Sequence, residues 1–195
     1  MISSTVYFIT HPDVLIDPAV PVPDWPLSTR GCERMTQALA LPWVGGVRAV
    51  WCSAERKARN GAEILAGHRG LPVVELAELG ENDRSATGYL PKAEFEAVVD
   101  LFFAHPEESA RGWERAIDAQ RRIVRAVERV LTASADSEGD IAVIAHGGVG
   151  TLLLCHLRGE PIGRRHDQPP NNGGNYFAFD AAARRLHHGW KAIDA

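Results

Sequence analysis

Two apolar runs in this chain end in histidine. Val6-Tyr7-Phe8-Ile9 stops at Thr10-His11-Pro12, and Ile141-Ala142-Val143-Ile144-Ala145 stops at His146-Gly147-Gly148. A neutral imidazole is a good nucleophile toward phosphorus and titrates near pH 7. A second imidazole beside it can hydrogen-bond a phosphoryl oxygen. The glycines after His146 let the backbone approach a ligand closely, and a helix beginning there would offer free N–H groups to an anion. Pro12 lacks an N–H, so it ends strand pairing, and it restricts His11 to extended geometry.

Two further segments carry charge suited to the same chemistry. Arg56, Lys57 and Arg59 crowd the start of an expected helix. Cations there oppose the helix macrodipole, so helix stability does not account for them; a bound anion would. The stretch Glu78-Leu79-Gly80-Glu81-Asn82-Asp83-Arg84 supplies carboxyls. A carboxyl beside a phosphate is pushed toward its protonated form by like charge, which a general acid for a departing alkoxide needs. The chain has no G-x-x-x-x-G-K-[ST] loop, no G-x-S-x-G elbow and no H-E-x-x-H, so nucleoside triphosphate, serine-elbow and zincin chemistry lack support.

The elements that must position these residues are read from periodicity and punctuation. Strands are expected at 4–10, 48–52, 71–76 and 140–145. The proline-rich stretch 13–26 reads as an ordered loop. Helices are expected from Ser28 to about Leu41 and from a Ser53 N-cap to about Gly67, with Glu55 a favourable first-turn acid and Ala58, Ala62 and Leu65 facing inward. Another helix opens at Pro91, with Phe95, Val98, Val99 and Phe102 on one face. A longer one is expected over 112–133, its core side marked by Trp113, Ile117, Val124, Val127 and Leu131. Residues 149–157 read as a helix, and 175–180 with 185–190 as a terminal hairpin. Strands alternating with helices predict an α/β fold, a three-layer α/β/α sandwich with a mostly parallel central sheet. Ligands in such sheets sit beyond the carboxyl ends of strands, where His11 and His146 fall.

The bulk numbers agree with one soluble domain. The chain has 195 residues, 45% hydrophobic, and a net charge of −4, which gives no general pull toward nucleic acid or an acidic membrane. Three unpatterned cysteines suggest neither a disulfide framework nor a zinc site. No signal-peptide pattern and no long apolar run is present, so a cytoplasmic location is expected. A homodimer is left open.

The pieces, in this order, resemble the histidine phosphatase superfamily, which includes the cofactor-dependent phosphoglycerate mutases. That family opens with a strand ending in Arg-His-Gly, then Leu-Thr and a helix containing Gly. It continues with Ser-Ser-x-x-x-Arg-Ala-x-x-Thr-Ala, then Leu-x-Glu, then a strand ending in His-Gly. Here Leu27-Ser28-x-x-Gly31, Ser53-x-x-x-Lys57-Ala58-x-x-Gly61-Ala62, Leu79-Gly80-Glu81 and Ile144-Ala145-His146-Gly147-Gly148 match in turn. The resemblance implies that His11 is the nucleophile that becomes phosphohistidine. It makes His146 the stabiliser of the phosphoryl group and Glu81, rather than Glu78, the proton donor and later the base. It implies no cofactor and no metal, and a small phosphorylated substrate or ligand as the partner. The segment around 82–112 becomes a cap or lid.

Two departures stand out. Thr10 and Lys57 occupy the places of the family's two phosphate-binding arginines, so the expected phosphate contacts are Thr10, Lys57 and Gly147. Other cations are expected to refill the pocket: Arg84 first, with Arg56 and Arg34 as weaker candidates. A phosphomonoester phosphatase, less so a mutase, is the expected activity, and a degenerate member that binds a phosphorylated ligand without turnover is the alternative.

Overall fold

The computed structural model describes residues 4–195. Six strands form one sheet: β1 (Thr5–Thr10), β2 (Val47–Cys52), β3 (Val73–Glu75), β4 (Asp140–Ala145), β5 (Asn175–Asp180) and β6 (Leu186–Ala192), in the order β3-β2-β4-β1-β5-β6. The β3–β2, β2–β4 and β4–β1 pairs are parallel; β5 and β6 add an antiparallel edge. Both faces of the inner strands are covered, which is why they read as near-continuous apolar runs.

The period of two along β1 and β4 divides the core. Val6, Phe8, Ile141, Val143 and Ala145 point to one face, under α4 (Ala116–Ala133) and α5 (Gly147–Arg158). Ile9, Ala142 and Ile144 point to the other, under α1 (Thr29–Ala38) and α2 (Arg56–Arg69). Ala58, Ala62 and Leu65 form the inward stripe of α2, as their spacing predicts. A third cluster joins α3 (Lys92–Ala104) to Trp113, Ala116, Ala119 and Leu152, fixing the 82–115 segment above one end of the sheet.

Several boundaries differ from the sequence expectation, each for a local reason. The long helix begins at Ala116 rather than 112, because Arg111 (φ 52°) and Gly112 (φ 84°) are in the left-handed region. Its buried face is Ala116, Ala119, Ile123, Ala126, Val127, Val130 and Leu131; Ile117 and Val124 are only partly buried. Small alanines let this helix sit close to its neighbours, so a face judged from large side chains is rotated. Helix α2 begins at Arg56, not after a Ser53 cap, and runs to Arg69, where Gly70 (φ 65°) ends it. The 13–26 loop is ordered as expected: Leu15 N–H donates to Pro26 O (3.0 Å), and the Trp25 indole donates to Asp17 O and Val20 O. Among the described residues, no helix is long and apolar enough to cross a membrane.

Candidate active site

Register places the two histidines side by side. Thr10 pairs with Ala145 across β1 and β4, and His11 N–H continues the ladder to Ala145 O at 3.1 Å. The next residues, His11 and His146, therefore leave adjacent parallel strands together. Their ring centroids are 5.2 Å apart with planes at 69°. Ser53 leaves the third neighbouring strand in the same way, its N–H bonded to Ile144 O at 3.1 Å.

His11 Nδ1 lies 3.0 Å from Pro12 O. A carbonyl only accepts, so Nδ1 carries the proton and Nε2 keeps its lone pair. Burial, and after it the charge of Lys57, lowers the His11 pKa to about 4, so the ring is neutral at pH 7. His11 opens onto a cavity of about 380 Å³ that it shares with Glu81, Arg84, Gly147, Gly148 and Gln168. His146 lies behind that wall, 1% exposed, and burial lowers its pKa to about 4 as well. Its Nε2 is 2.6 Å from Ser53 Oγ, which also accepts the Glu55 N–H at 3.3 Å. Nε2 also lies 3.4 Å from Glu55 Oε1, and Nδ1 is buried with no partner among the described residues.

Glu81 and Glu78 separate cleanly. Glu78 is half-exposed and pairs with Arg129. Glu81 turns into the cavity and accepts N–H bonds from Gly148 (2.9 Å) and Val149 (3.0 Å). Helix α5 starts at Gly147, and the group seated at its N-terminus is the protein's own Glu81 carboxyl. A Cβ on residue 148 would lie 2.7 Å from Glu81 Oε1, so the approach requires glycine. Arg122 fastens the loop below, donating to Glu78 O (2.8 Å), Gly80 O (2.9 Å) and Glu81 O (3.1 Å) while pairing with Glu114.

The expected phosphate contacts are distributed unevenly. Thr10 is buried, and its hydroxyl donates to Gln168 Oε1 (2.7 Å) and accepts from Asn175 N (3.0 Å). It is committed to the β5 side rather than presented to His11. Gly147 lines the cavity and leaves the space that the Gln168 amide fills. Arg84 lines the cavity with its guanidinium over the Phe95 ring (5.0 Å) and near Trp113 (5.7 Å). Arg56 is exposed and is not part of the cavity wall, because the first turn of α2 points it to solvent. Arg34 is buried but saturated by Asp13 (2.8 Å), Asp194 (2.7 Å) and the carbonyls of Asn171 and Gly173. It ties the loop after His11 to the chain's C-terminal end, so its role is structural. Lys57 is 3% exposed; its Nζ donates to Val22 O (2.8 Å) and pairs with Glu55 Oε2 (2.5 Å).

Four residues of the site escape a reading of the sequence. Ser53 reads there as a helix cap and Glu55 as a favourable first-turn acid, while Arg122 and Gln168 carry no signal. The one clue is Glu55 itself, an acid two positions before Lys57 in an otherwise basic segment. Among the described residues, no three His, Cys, Asp or Glu side chains converge as metal ligands would.

The fold, with its two strand-end histidines side by side, is an α/β fold of the phosphoglycerate mutase-like class. The profile of the histidine phosphatase superfamily (branch 1) matches residues 19–188, and the chain belongs to that superfamily. The match begins after Thr10-His11-Pro12 and includes Lys57, Glu81 and His146. No curated protein matches the chain by sequence. Among solved structures, a mycobacterial glucosyl-3-phosphoglycerate phosphatase in complex with inorganic phosphate superposes with a TM-score of 0.78 at 17% identity, over 99% of this chain and 100% of that one. A putative alpha-ribazole-5'-P phosphatase from Escherichia coli gives 0.69 at 19% identity, covering 99% and 97%. YhfR of Bacillus stearothermophilus gives 0.72 at 20% identity, covering 95% of each chain.

Proposed function

We propose that the protein hydrolyses phosphomonoesters through a phosphohistidine on His11. The observation that carries this reading is His11 itself. Its Nδ1 proton is pinned to Pro12 O, and it opens on a cavity shared with Glu81. His11 Nε2 attacks phosphorus, the P–O ester bond breaks, and protonated Glu81 gives its proton to the leaving alkoxide. Water then attacks the N–P bond, Glu81 takes its proton, and inorganic phosphate leaves with His11 restored. His146 Nδ1–H and Lys57 offset charge on the phosphoryl oxygens. The 82–112 segment acts as a lid that selects the leaving group. Phe95, Val99 and Trp113 on the cavity wall favour one with an apolar face. Hydrolysis is preferred to phosphoryl retention because two of the similar structures carry phosphatase names.

Lys57 spent on Glu55, and Thr10 on Gln168, favour a second reading: a phosphoester binder without turnover. Incubation with 4-nitrophenyl phosphate and rapid quenching separates the two. Hydrolysis requires phosphate release and an acid-labile phosphoenzyme, both absent in His11→Ala. Activity retained in His11→Ala defeats the phosphohistidine reading, and tight ester binding without turnover in the wild type favours the binder.

A further inference from the structure

Glu55 places a carboxylate in the middle of the charged groups that a phosphoryl transfer site needs. Its Oε2 is 2.5 Å from Lys57 Nζ, and its Oε1 accepts the Glu81 N–H at 2.9 Å and lies 3.4 Å from His146 Nε2. Burial alone would push the Glu55 pKa up, but His146, Lys57 and the Glu81 amide outweigh it and hold the carboxyl well below the usual range. The group is an anion at any working pH. Lys57 meanwhile has Val22 O as its other acceptor, so its ammonium is engaged within the protein on two sides.

The charges around His11 are largely cancelled in pairs. Arg34 is balanced by Asp13 and Asp194, and Lys57 by Glu55. Arg84, also on the cavity wall, stands over the Phe95 ring with no carboxylate paired to it among the described residues. A phosphoryl dianion arriving at His11 Nε2 therefore meets no uncompensated positive charge from Arg34 or Lys57. A carboxylate within the same cluster repels it, and this repulsion is strong where water is excluded.

Resting on the phosphohistidine reading above, we propose that Glu55 is an internal competitor for the phosphoryl group. Its carboxylate occupies Lys57 and the edge of His146, so the site holds free inorganic phosphate weakly and Lys57 reaches a substrate only when Glu55 yields it. The consequence is a site that releases product readily and draws its ground-state affinity from the leaving group against the lid rather than from the phosphate. Glu55 acts through Lys57 and is a specificity-determining residue, not a catalytic one.

Glu55→Gln tests this directly. The amide oxygen can still accept the Glu81 N–H, while the negative charge is gone. Titration calorimetry with inorganic phosphate on the full chain should show binding at least tenfold tighter than wild type, with the phosphate inhibition constant falling in parallel. Glu55→Met, of similar volume, should tighten binding in the same direction, and thermal melts report folding of both. In a Lys57→Met background the gain from Glu55→Gln should shrink, because the part that comes from freeing Lys57 is lost and only the relief of repulsion remains. A purely structural Glu55 predicts equal or weaker phosphate binding in both variants, and that result overturns the proposal while leaving phosphoenzyme trapping on the wild type to decide the reaction. If neither wild type nor Glu55→Gln binds phosphate and no phosphoenzyme forms, both the proposal and the underlying reading fail.

Discussion

Ser53 Oγ lies 2.6 Å from His146 Nε2, and the two residues come from the carboxyl ends of neighbouring parallel strands. The contact settles which nitrogen of His146 is free. It also makes Ser53 a positioning residue for a ring that is otherwise fully enclosed.

Ser53→Ala should therefore lower kcat more than it raises KM. Removing the hydroxyl takes away the nearest partner of Nε2 in a buried site, which costs about 1–3 kcal/mol, or roughly fivefold to 150-fold in rate. Ser53→Thr should restore part of the activity. Steady-state kinetics on 4-nitrophenyl phosphate, with a thermal melt for folding, checks the prediction; unchanged kcat in the alanine variant would remove the role.

Buried neutral histidines make stability fall with acid. His146 titrates at about 4 when folded and at about 6.5 when unfolded. Between those values the unfolded chain binds a proton that the folded chain refuses. The stabilisation is thus complete above pH 6.5 and is lost as pH falls toward 4. The loss is of order 3 kcal/mol for this residue. Urea unfolding at pH 7.5, 5.5 and 4.5 should show it, and His146→Gln should flatten the slope. His11 shifts in the same direction, so the acid limb of kcat/KM should fall nearer 4 than 6.5.

Gly148→Ala should damage Glu81 without unfolding the protein. The added methyl would sit 2.7 Å from Oε1, so the carboxyl must leave the start of α5. A loss of about 10²–10⁴ in kcat is the range for a missing general acid–base. The loss should be smaller for 4-nitrophenyl phosphate, whose leaving group needs little protonation, than for an alkyl phosphate. Equal losses on the two esters would count against the proton-transfer role.

Arg84 is a cavity-facing cation held by aromatic rings, with no carboxylate paired to it among the described residues. Arg84→Ala should raise KM for a phosphoester by about tenfold, the effect of one partly exposed charge–charge contact. Arg84→Lys should recover less than full affinity because the planar stacking over Phe95 is lost. Unchanged phosphate affinity and turnover in Arg84→Ala would exclude it from the pocket.

Strand-end histidines, alternating elements and motif order are legible along the chain because each depends on neighbours a few positions away. Val6 to Ile9 and Ile141 to Ala145 announce buried strands by composition, and the residue after a parallel strand must emerge at its carboxyl end. The same local reading misjudges Ile117 and Val124, because a helix face is set by the elements packed against it, and small alanines decide that here.

The sequence by itself determined that two imidazoles and a glycine-led helix would emerge at one sheet edge, since parallel strands deliver the residues that follow them to the same end, and the motif order of the resembling family added the acid-bearing loop. Only the tertiary structure decided which charges remain available there. Arg34 meets Asp13 and Asp194, Lys57 meets Glu55, and Glu81 meets the first turn of α5, and the pairs of Arg34 with Asp194 and of Glu81 with α5 are separated by 160 and 67 positions in the chain. Charge is a property of the residue, but its neutralisation is a property of distance, and that distance is set by packing.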